Sequence, residues 1–415
     1  MAVFRTQSLE VASETSFAVN AANPSANTTW DYELPAENIV FTMGQPRIAD
    51  VAMQDRQDVR GLSHPMARTC SVEFTTNLPG HSSDPAIGGL TATWAYQLLG
   101  YALGGLRSAG SGSTISGAAS TASSINVASV AGWVAGDFMA IGTNGDGRGG
   151  GQVVCLSAIS ATSGVAHLLT NAPAAPTTSG DTASRLLLVY HDETATLTPV
   201  RFRYMNSDTG AQYQAHGCQL AALKLSFPLD GNSPIKATWT YNGAYWNRSA
   251  VAFPNSTALE VAYGVPCTAG SMFLADFATK TRTTKTPATL ELELEMPLAA
   301  TEGPGGAGDY QPITGWTRTM VSPVLTLQIP WEAARETAWD LANQSYVYSH
   351  GLFTAHPIGG RRIAFYMPRM FDEGDRPSGV VNVNDLNYVT ARWRGTESTD
   401  TTTALTRSAI RIGFG

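Results

Sequence analysis

The chain has 415 residues, of which 14% are charged and 43% hydrophobic, and its formal net charge is -7. This length leaves room for two or three domains with sizeable cores. The acidic balance argues against a general nucleic-acid binder, because neutralising phosphates takes a clustered excess of Lys and Arg. A low charged fraction with abundant Gly, Ser, Thr, Ala and Asn favours a β-rich protein.

Four cysteines are far apart in the sequence, and none has the CxxC partner or the nearby His of a zinc site. We expect free, mostly buried thiols in a reducing compartment, and neither a metal nor a cofactor. The start of the chain shows no apolar segment behind a basic one, and no apolar run reaches about 18 residues. Neither a signal peptide nor a membrane span is therefore expected. The cysteines are Cys70, Cys155, Cys218 and Cys267.

Residues 1 to 65 mix short alternating pieces with Asn, Pro and Ser and show no helical pattern. We predict an extended N-terminal arm, since long irregular segments are uncommon inside compact domains. The arm has enough apolar side chains to dock on a neighbouring subunit. The candidates for that contact are Phe4, Leu9, Val11, Phe17 and Trp30.

Residues 66 to 112 open a first β-domain. Apolar and polar side chains alternate at residues 68 to 76, which predicts a strand. Trp94 and the apolar residues after it recur at helical spacing and predict a helix at residues 91 to 106. Gly104, near the end of that pattern, is a typical helix stop.

A small-residue linker, SAGSGSTISGAASTASS, leads from residue 108 into an inserted module at residues 113 to 190. Short alternating segments with turn signals every 8 to 12 residues or so predict a small β-barrel or sandwich. The Gly-rich stretch at residues 142 to 151 lacks the Gly-Lys-Ser/Thr ending of a phosphate-binding loop and the bidentate Glu of a calcium loop. A hairpin tip is predicted there.

The first β-domain resumes at residues 191 to 250, and its sheet pattern is concentrated at residues 200 to 246. Alternation at residues 201 to 204 and 223 to 227, and again at residues 236 to 241 after a turn-forming cluster, predicts three half-buried antiparallel strands. No residue there has the spacing of a nucleophile, a general base or a metal ligand. The stretch therefore favours a structural or assembly role.

A second β-domain is predicted at residues 251 to 415. Its clearest strand, TLELELEM, places Glu291, Glu293 and Glu295 on one face and three leucines on the other. Three carboxylates in a row repel one another unless the face is solvated or paired. Three interpretations stay open: an exposed acidic face, the lining of an acidic channel, or a glycosidase-type carboxylate pair, which needs two acids in different environments.

The second half of the chain repeats the order of elements of the first half, namely strand, helix, strand, loop, strand, strand. A strand at residues 324 to 329 and a helical pattern at residues 331 to 346 match the first domain's strand and helix. The strand at residues 361 to 366 is matched with the one at residues 200 to 204. This order predicts two tandem domains, although residue identity between the halves is low.

The start of the chain at residues 5 to 17, the strand at residues 68 to 76, the helix containing Leu98-Leu99-Gly100 and the strands at residues 217 to 227 resemble the tail tube proteins (major tail proteins) of long-tailed, siphovirus-like bacteriophages. The resemblance is one of pattern over most of the chain, with the module at residues 113 to 190 as an insertion. It implies two tandem tail-tube-like β-sandwich or barrel domains, each with a flanking helix, in rings that stack into a hollow tube.

The resemblance further implies a structural virion protein without catalytic residues, located in the tail and in the host cytoplasm during assembly. Genomic DNA and a tape-measure protein would pass through the lumen without specific binding, and tail terminator and tail-tip proteins would occupy the ends. Two domains per chain favour a trimeric ring with pseudo-sixfold symmetry over a hexameric one.

An acidic lumen would repel DNA phosphates, and Glu291, Glu293 and Glu295 are the candidate lining. The arm would reach an adjacent ring. Trimming residues 1 to 50 is therefore expected to leave a folded monomer that does not polymerise.

Other function classes stay open at this level. A surface adhesin would share the Thr/Ser/Gly/Asn composition, and glycosylation sequons occur, as at Asn27. A tail adaptor or a capsid decoration protein would have a similar composition. An enzyme would need a convergent site. In the nearest acid/base cluster, Asp192 and Glu193 beside His191, adjacent strand residues point to opposite faces.

Overall fold

A computed structural model describes residues 7–18, 29–44, 47–49, 63–65, 68–80, 93–115, 120–121, 123–142, 152–160, 164–168, 182–228, 233–248, 264–265, 267, 271–276, 283–285, 289–302, 313–330, 349–355, 362–373, 381–383 and 386–415. Within these residues the fold is mainly β, as predicted, with two helices.

The elements up to residue 248 are β1 (Gln7–Ser13), β2 (Tyr32–Leu34), β3 (Glu37–Gly44), β4 (Arg47–Ala49), β5 (Ser63–Pro65), β6 (Thr69–Asn77), α1 (Thr93–Leu103), β7 (Gly104–Arg107), β8 (Gly110–Thr114), β9 (Ser124–Asn126), β10 (Phe138–Gly142), β11 (Gln152–Ser160), β12 (Val165–Leu168), β13 (Thr182–Arg185), β14 (Leu187–His191), β15 (Val200–Asn206), β16 (Ala211–Pro228), β17 (Lys236–Gly243) and β18 (Tyr245–Arg248). The later elements are β19 (Ser271–Asp276), β20 (Thr283–Lys285), β21 (Thr289–Glu295), β22 (Leu298–Glu302), β23 (Ile313–Arg318), β24 (Ser322–Pro330), β25 (Ser349–Ala355), β26 (Ile363–Asp372), β27 (Val381–Val383), β28 (Leu386–Gly395), α2 (Ala404–Arg407) and β29 (Arg411–Phe414).

A long antiparallel run of strands forms the centre of the fold. Its order is β3-β6-β17-β16-β21-β24-β28-β27, and each neighbouring pair is hydrogen bonded in antiparallel register. The strands predicted at residues 68 to 76, 223 to 227 and 236 to 241 all lie in this run. We call it the long run; it belongs to a large curled sheet of 19 strands.

One side of the long run is apolar and faces the core. Leu290, Leu292 and Leu294 of β21 are each at most 1% exposed, while the alternate glutamates point the other way. This is the predicted alternation of a strand that is buried on one face. The same period of two governs β6 and β17, so the apolar side chains of adjacent strands form one continuous layer.

Two smaller groups of strands pack on this apolar layer. β1, β15, β18 and the first half of β16 cover one part of it, and β19, β25, β26 and β29 cover the other. Aromatic rings join the layers: the Phe202 and Tyr241 centroids are 4.8 Å apart, and so are those of Phe227 and Phe353. Each fully buried ring of this kind stabilises the fold by about 2 kcal/mol.

The predicted helix forms at Thr93–Leu103 and is buried along one side. Trp94, Leu98 and Leu99 belong to the main core, where the Trp94 ring lies 6.2 Å from that of Trp239. The helix ends at Leu103 and is followed by Gly104, whose φ is 89°, a value that non-glycine residues rarely adopt. A Cβ atom there would also lie 2.8 Å from the Ala195 side chain. Helix α1 is therefore fixed to the side of the long run opposite the glutamates.

The described part of the predicted N-terminal arm is integrated into the sheet. β1 pairs along its whole length with β15 and also with β2. Leu9 and Val11 are 0% and 1% exposed, and Glu10 forms a buried ion pair with Arg203. This differs from the expected arm, because the alternation of Leu9 and Val11 is satisfied by a core within the same chain.

The inserted module forms its own six-stranded sheet in the order β8-β13-β10-β11-β12-β9. One face closes over a separate small core that includes Ile125, Val154 and Leu168. The other face, through Phe138 and its neighbours, packs on β14, β26 and α2. β14, which the sequence placed in the module, instead pairs with β29 and β7 of the large sheet.

Two predicted features cannot be compared with the fold. The helical pattern at residues 331 to 346 and most of the Gly-rich stretch at residues 142 to 151 lie outside the described residues.

Candidate functional site

The side of the long run that faces away from the core carries polar and charged side chains, and we call it the polar face. Cross-strand pairing aligns them in rows, because residues opposite each other in an antiparallel pair point to the same face. Thr75 and Thr238, for example, have hydroxyl oxygens 3.4 Å apart. The polar face comprises Glu37, Val40, Thr42, Ser71, Glu73, Thr75, Lys236, Thr238, Thr240, Lys224, Ser226, Glu291, Glu293, Glu295, Thr326, Arg392 and Arg394, with Glu373 at its rim.

The three predicted glutamates lie together near the middle of the polar face. Lys224 on the adjacent strand lies between two of them, its Nζ 2.9 Å from Glu291 Oε2 and 3.6 Å from Glu293 Oε1. The hydrogen bond to Glu291 raises the pKa of Lys224, so this cation stays charged at neutral pH. The carboxylates are thus both solvated and paired, and the repulsion expected from the sequence is relieved by the neighbouring strand.

The far side of the row is paired by two arginines. Arg394 Nη1 lies 3.5 Å from Glu295 Oε2, and the same side chain bonds Glu373. Arg392 Nε lies 2.8 Å from Glu373 Oε2. These cations are about 100 residues from the glutamates in sequence, so only the strand order brings them together. Sequence reasoning missed them for that reason.

The polar face remains acidic after these pairings. Its described residues contain six carboxylates and four cations, and six minus four leaves a net charge of -2. The remaining cation is Lys236, whose Nζ lies 3.7 Å from Glu37 Oε2. Exposed pairs of this kind contribute little to stability, so their main effect is on the electrostatic field in front of the sheet.

At each edge of the long run, the outermost strand pairs with a single strand among those described. β3 pairs only with β6, and β27 only with β28, within the described part of the chain. Val40 and Met43 on β3 are 52% and 37% exposed, which is high for large apolar side chains. An edge strand with exposed backbone groups and apolar side chains is a template for pairing with another strand.

The predicted inter-subunit residues of the N-terminal region lie inside their own chain. Leu9, Val11 and Trp30 are buried, and Phe17 is half-buried against Tyr245. The Trp30 ring also stacks under the Arg203 guanidinium, 4.9 Å from ring centroid to Cζ. Phe4 lies outside the described residues. Contact of the buried side chains with a neighbouring ring would require β1 to leave the sheet.

A cleft of about 800 Å³ opens at one end of the long run. Its walls are residues 14–17, the loop after β14, and β23 with the residues that follow it. His191, Asp192 and Glu193, the acid/base cluster considered from the sequence, line this cleft together with Arg318. Burial, aided by the charge of Arg318, lowers the pKa of His191 to about 4. The histidine is therefore neutral at physiological pH.

Thiols and metal-binding clusters, two common sources of reactivity in proteins, can be compared with the described residues. The four cysteines are free and buried, as predicted, and burial raises the pKa of Cys155 to about 11. Within the described ranges, no group of three or more His, Cys, Asp or Glu side chains is placed to hold a metal ion. None of the helices in the described part of the chain is long and apolar enough to cross a membrane.

The chain matches no protein-family model, and no curated protein sequence matches it significantly.

Proposed function

We propose that this protein is a structural subunit that joins with copies of itself, edge to edge, into rings that stack into a hollow tube, in the manner of phage tail tube proteins. The observation that carries the proposal is the pairing of β16 with β21 over seven residue pairs, from Ala222 opposite Glu295 to Pro228 opposite Thr289. This pairing joins two similar four-strand units within one chain. A ring needs the same junction between chains.

The pairing pattern supports a duplicated fold on either side of this junction. In the first unit β1 pairs with β2 and β15, β15 with β16, and β16 with β17 and β18. In the second unit β19 pairs with β20 and β25, β25 with β26, and β26 with β28 and β29. The runs β3-β6-β17 and β21-β24-β28 complete the two units in the same order.

This correspondence shifts the alignment of the two halves that the sequence suggested. The strand at residues 361 to 366 was matched with the one at residues 200 to 204, which is β15. By its pairing, β26 takes the place of β16, and β25 takes the place of β15. The N-terminal strands β1 and β2 then match β19 and β20, so they are the first strands of a domain in this proposal.

The size of the proposed ring follows from the strand count. Each chain contributes eight positions to the long run, the last shared by β27 and the end of β26. Three chains would give about 24 strands, and a spacing of about 4.8 Å gives a perimeter of roughly 115 Å and a diameter of at least about 37 Å before strand tilt. A barrel of that size has a lumen wide enough for a DNA duplex.

The arrangement of the layers favours the polar face as the lumen lining. Helix α1, the covering strands and the inserted sheet all lie on the opposite side of the long run. Those elements would fill a lumen, whereas side chains of one strand layer leave it open. A lining with net charge -2 per chain would repel phosphates and let DNA pass without counterion-release binding.

The test is assembly of the purified protein, followed by negative-stain microscopy and by mass measurement of single rings. We expect tubes at high protein concentration and rings of three 43.9 kDa chains on dilution. Monodisperse monomers at all concentrations would contradict the proposal, and rings that never stack would favour a tail adaptor.

A matched pair of variants tests the edge pairing. Val40→Lys places a charge on edge strand β3, and Thr240→Lys places the same charge in the interior of the polar face; both positions are opposite Glu73. We expect the Val40 variant to raise the concentration needed for assembly at least about tenfold, which is roughly 1.4 kcal/mol per junction. The Thr240 variant should assemble like the wild type. Equal behaviour of the two variants would contradict pairing at β3.

A further inference from the structure

The cleft beside Arg318 lies at the end of the long run where two short hairpins follow the strands. Gly44 opposite Thr69 and Glu295 opposite Ser322 mark where β3–β6 and β21–β24 stop at this end. The hairpin β4–β5 follows the first of these ends, and the hairpin β22–β23 follows the second. Strands of a barrel run obliquely along its axis. This end of the sheet would therefore face the next ring of a stack.

Arg318 is a cation held in the cleft, and among the described residues no carboxylate pairs with it. Burial lowers the pKa of its guanidinium to about 10, and no described carboxylate acts against that shift. Its Nε atom is buried and has no hydrogen-bond partner among the described residues. Buried charged groups are normally paired, because the loss of hydration is otherwise uncompensated. The position is therefore suited to an anion that the described residues do not supply.

The acids that line the cleft form no described pair with Arg318, although Glu14 Oε1, 3.5 Å from His216 Nδ1, is buried without a hydrogen-bond partner among the described residues. Glu14 Oε2 accepts hydrogen bonds from the backbone N–H groups of Ala18 and Gly217, at 3.1 and 2.9 Å. Asp192 Oδ1 accepts hydrogen bonds from the backbone N–H and the hydroxyl group of Thr194 in the same loop. Glu193 lies 2.9 Å from Arg407 Nη2.

The fourth acid, Glu397, is exposed, and its carboxylate remains in water. The carboxylates of the cleft thus leave the guanidinium of Arg318 available to a group from outside.

We infer that this cleft receives a carboxylate side chain from a second copy of the chain, and that the contact with Arg318 fixes the stacking of one ring on the next. The inference rests on the proposed tube. The chain has 33 acidic against 26 basic residues, so an opposing copy is rich in carboxylates and poor in cations. A bidentate guanidinium–carboxylate pair also sets the relative orientation of the two rings, which a point charge would not do.

The experiment compares wild-type protein with Arg318→Gln, Arg318→Lys and the control Arg248→Gln. Arg248 is an exposed arginine of β18 outside the cleft, so its variant has the same change in charge. Ring mass, tube length in electron micrographs and the melting temperature of the unassembled chain are measured for each.

We expect Arg318→Gln to form rings of wild-type mass whose tubes are at least tenfold shorter, with a melting temperature equal to or above that of the wild type. Arg318→Lys should give intermediate lengths, and Arg248→Gln should match the wild type. The inference is overturned by Arg318→Gln tubes as long as those of the control, or by loss of both melting temperature and ring formation. Wild-type protein that forms no rings would instead contradict the proposed function.

Discussion

Replacing the three glutamates of the polar face tests whether that face lines a passage for DNA. The variant Glu291→Gln, Glu293→Gln, Glu295→Gln changes the net charge of the face from -2 to +1 per chain, since three of its six carboxylates become neutral while four cations remain. In a ring of three chains the lining would change from -6 to +3. Stacked rings would repeat this change along the proposed tube.

The fold should tolerate the three substitutions. The glutamate side chains are 37% to 50% exposed, and Lys224 is 44% exposed, so its ammonium group can return to water. Exposed ion pairs are each worth about 0.2–1 kcal/mol, and three are removed, which bounds the loss of stability at about 3 kcal/mol. The leucines on the opposite face are unchanged. Thermal unfolding should therefore shift only slightly, and tubes should still assemble.

The assay measures duplex DNA that is protected from a nuclease inside the tubes, at low salt and again at physiological salt. Wild-type tubes should protect little DNA. The triple variant should retain duplex at about 50 mM salt and release it by about 200 mM, as expected for binding driven by counterion release. The control carries the same charge change off the polar face and outside the cleft, as Asp208→Asn, Glu302→Gln and Asp400→Asn. Equal protection in variant and control would refute the lumen assignment.

Three further predictions concern the monomer. Deletion of residues 1–13 removes β1 and its buried Leu9, so we expect a loss of at least 3–5 kcal/mol or so and no cooperative melt by circular dichroism; a truncated chain that melts like the wild type would support the arm instead. The depressed pKa of His191, about 4, means that the unfolded chain binds this proton first, so stability should fall by about 1–2 kcal/mol as pH drops from 6.5 to 4; urea unfolding should show this, and His191→Gln should remove it. Gly243→Ala would place a Cβ atom 2.5 Å from Cys70 Sγ and should cost about 1–3 kcal/mol in urea unfolding, whereas an unchanged midpoint would show that the sheet relaxes there.

The strands that were predictable from the sequence are those with one face buried and the other exposed to solvent. β21 alternates perfectly and was predicted with the correct face outward. The start of β16, residues 211–216, is not predicted as strand, because residues 214–220 are buried on both faces and lose the alternation; the strand expected from the resemblance begins only at residue 217. The sequence alone favours an arm for β1, because the Asn- and Pro-rich stretch at residues 20–28 dominates its surroundings.

The candidate site was predictable only within single strands. The alternation of residues 289–295 is enough to place three glutamates on one face, but it contains nothing about which strands lie beside β21. Lys224 and Arg394 arrive from strands 67 and 101 residues away from Glu291 and Glu293, respectively, through pairings that a single sequence does not encode locally. The cleft beside Arg318 is harder still, since its walls come from segments about 300 residues apart.

The inserted sheet bears on the choice between three and six chains in the proposed ring. Phe138 and Cys155 of this sheet pack with Leu188 of β14 and with Tyr366 of β26, so the insertion contacts both of the proposed units. β14 also pairs with β29 across the same boundary, and Arg411 donates hydrogen bonds to the carbonyls of α2 beneath it. The junction within a chain is therefore reinforced on the side of the sheet opposite the polar face.

A junction between chains would repeat the edge pairing but not this reinforcement, because each chain carries one inserted sheet. Two kinds of junction would then alternate around the ring. Those within chains are reinforced by the inserted sheet, and those between chains are not. Three chains make six junctions, three within chains and three between them. The two kinds then alternate, and every chain is equivalent. Six chains of two units each would instead need twelve junctions and a barrel of about 48 strands, with twice the perimeter. The trimeric ring is the smaller of the two closed rings. The mass of a single ring distinguishes three chains from six.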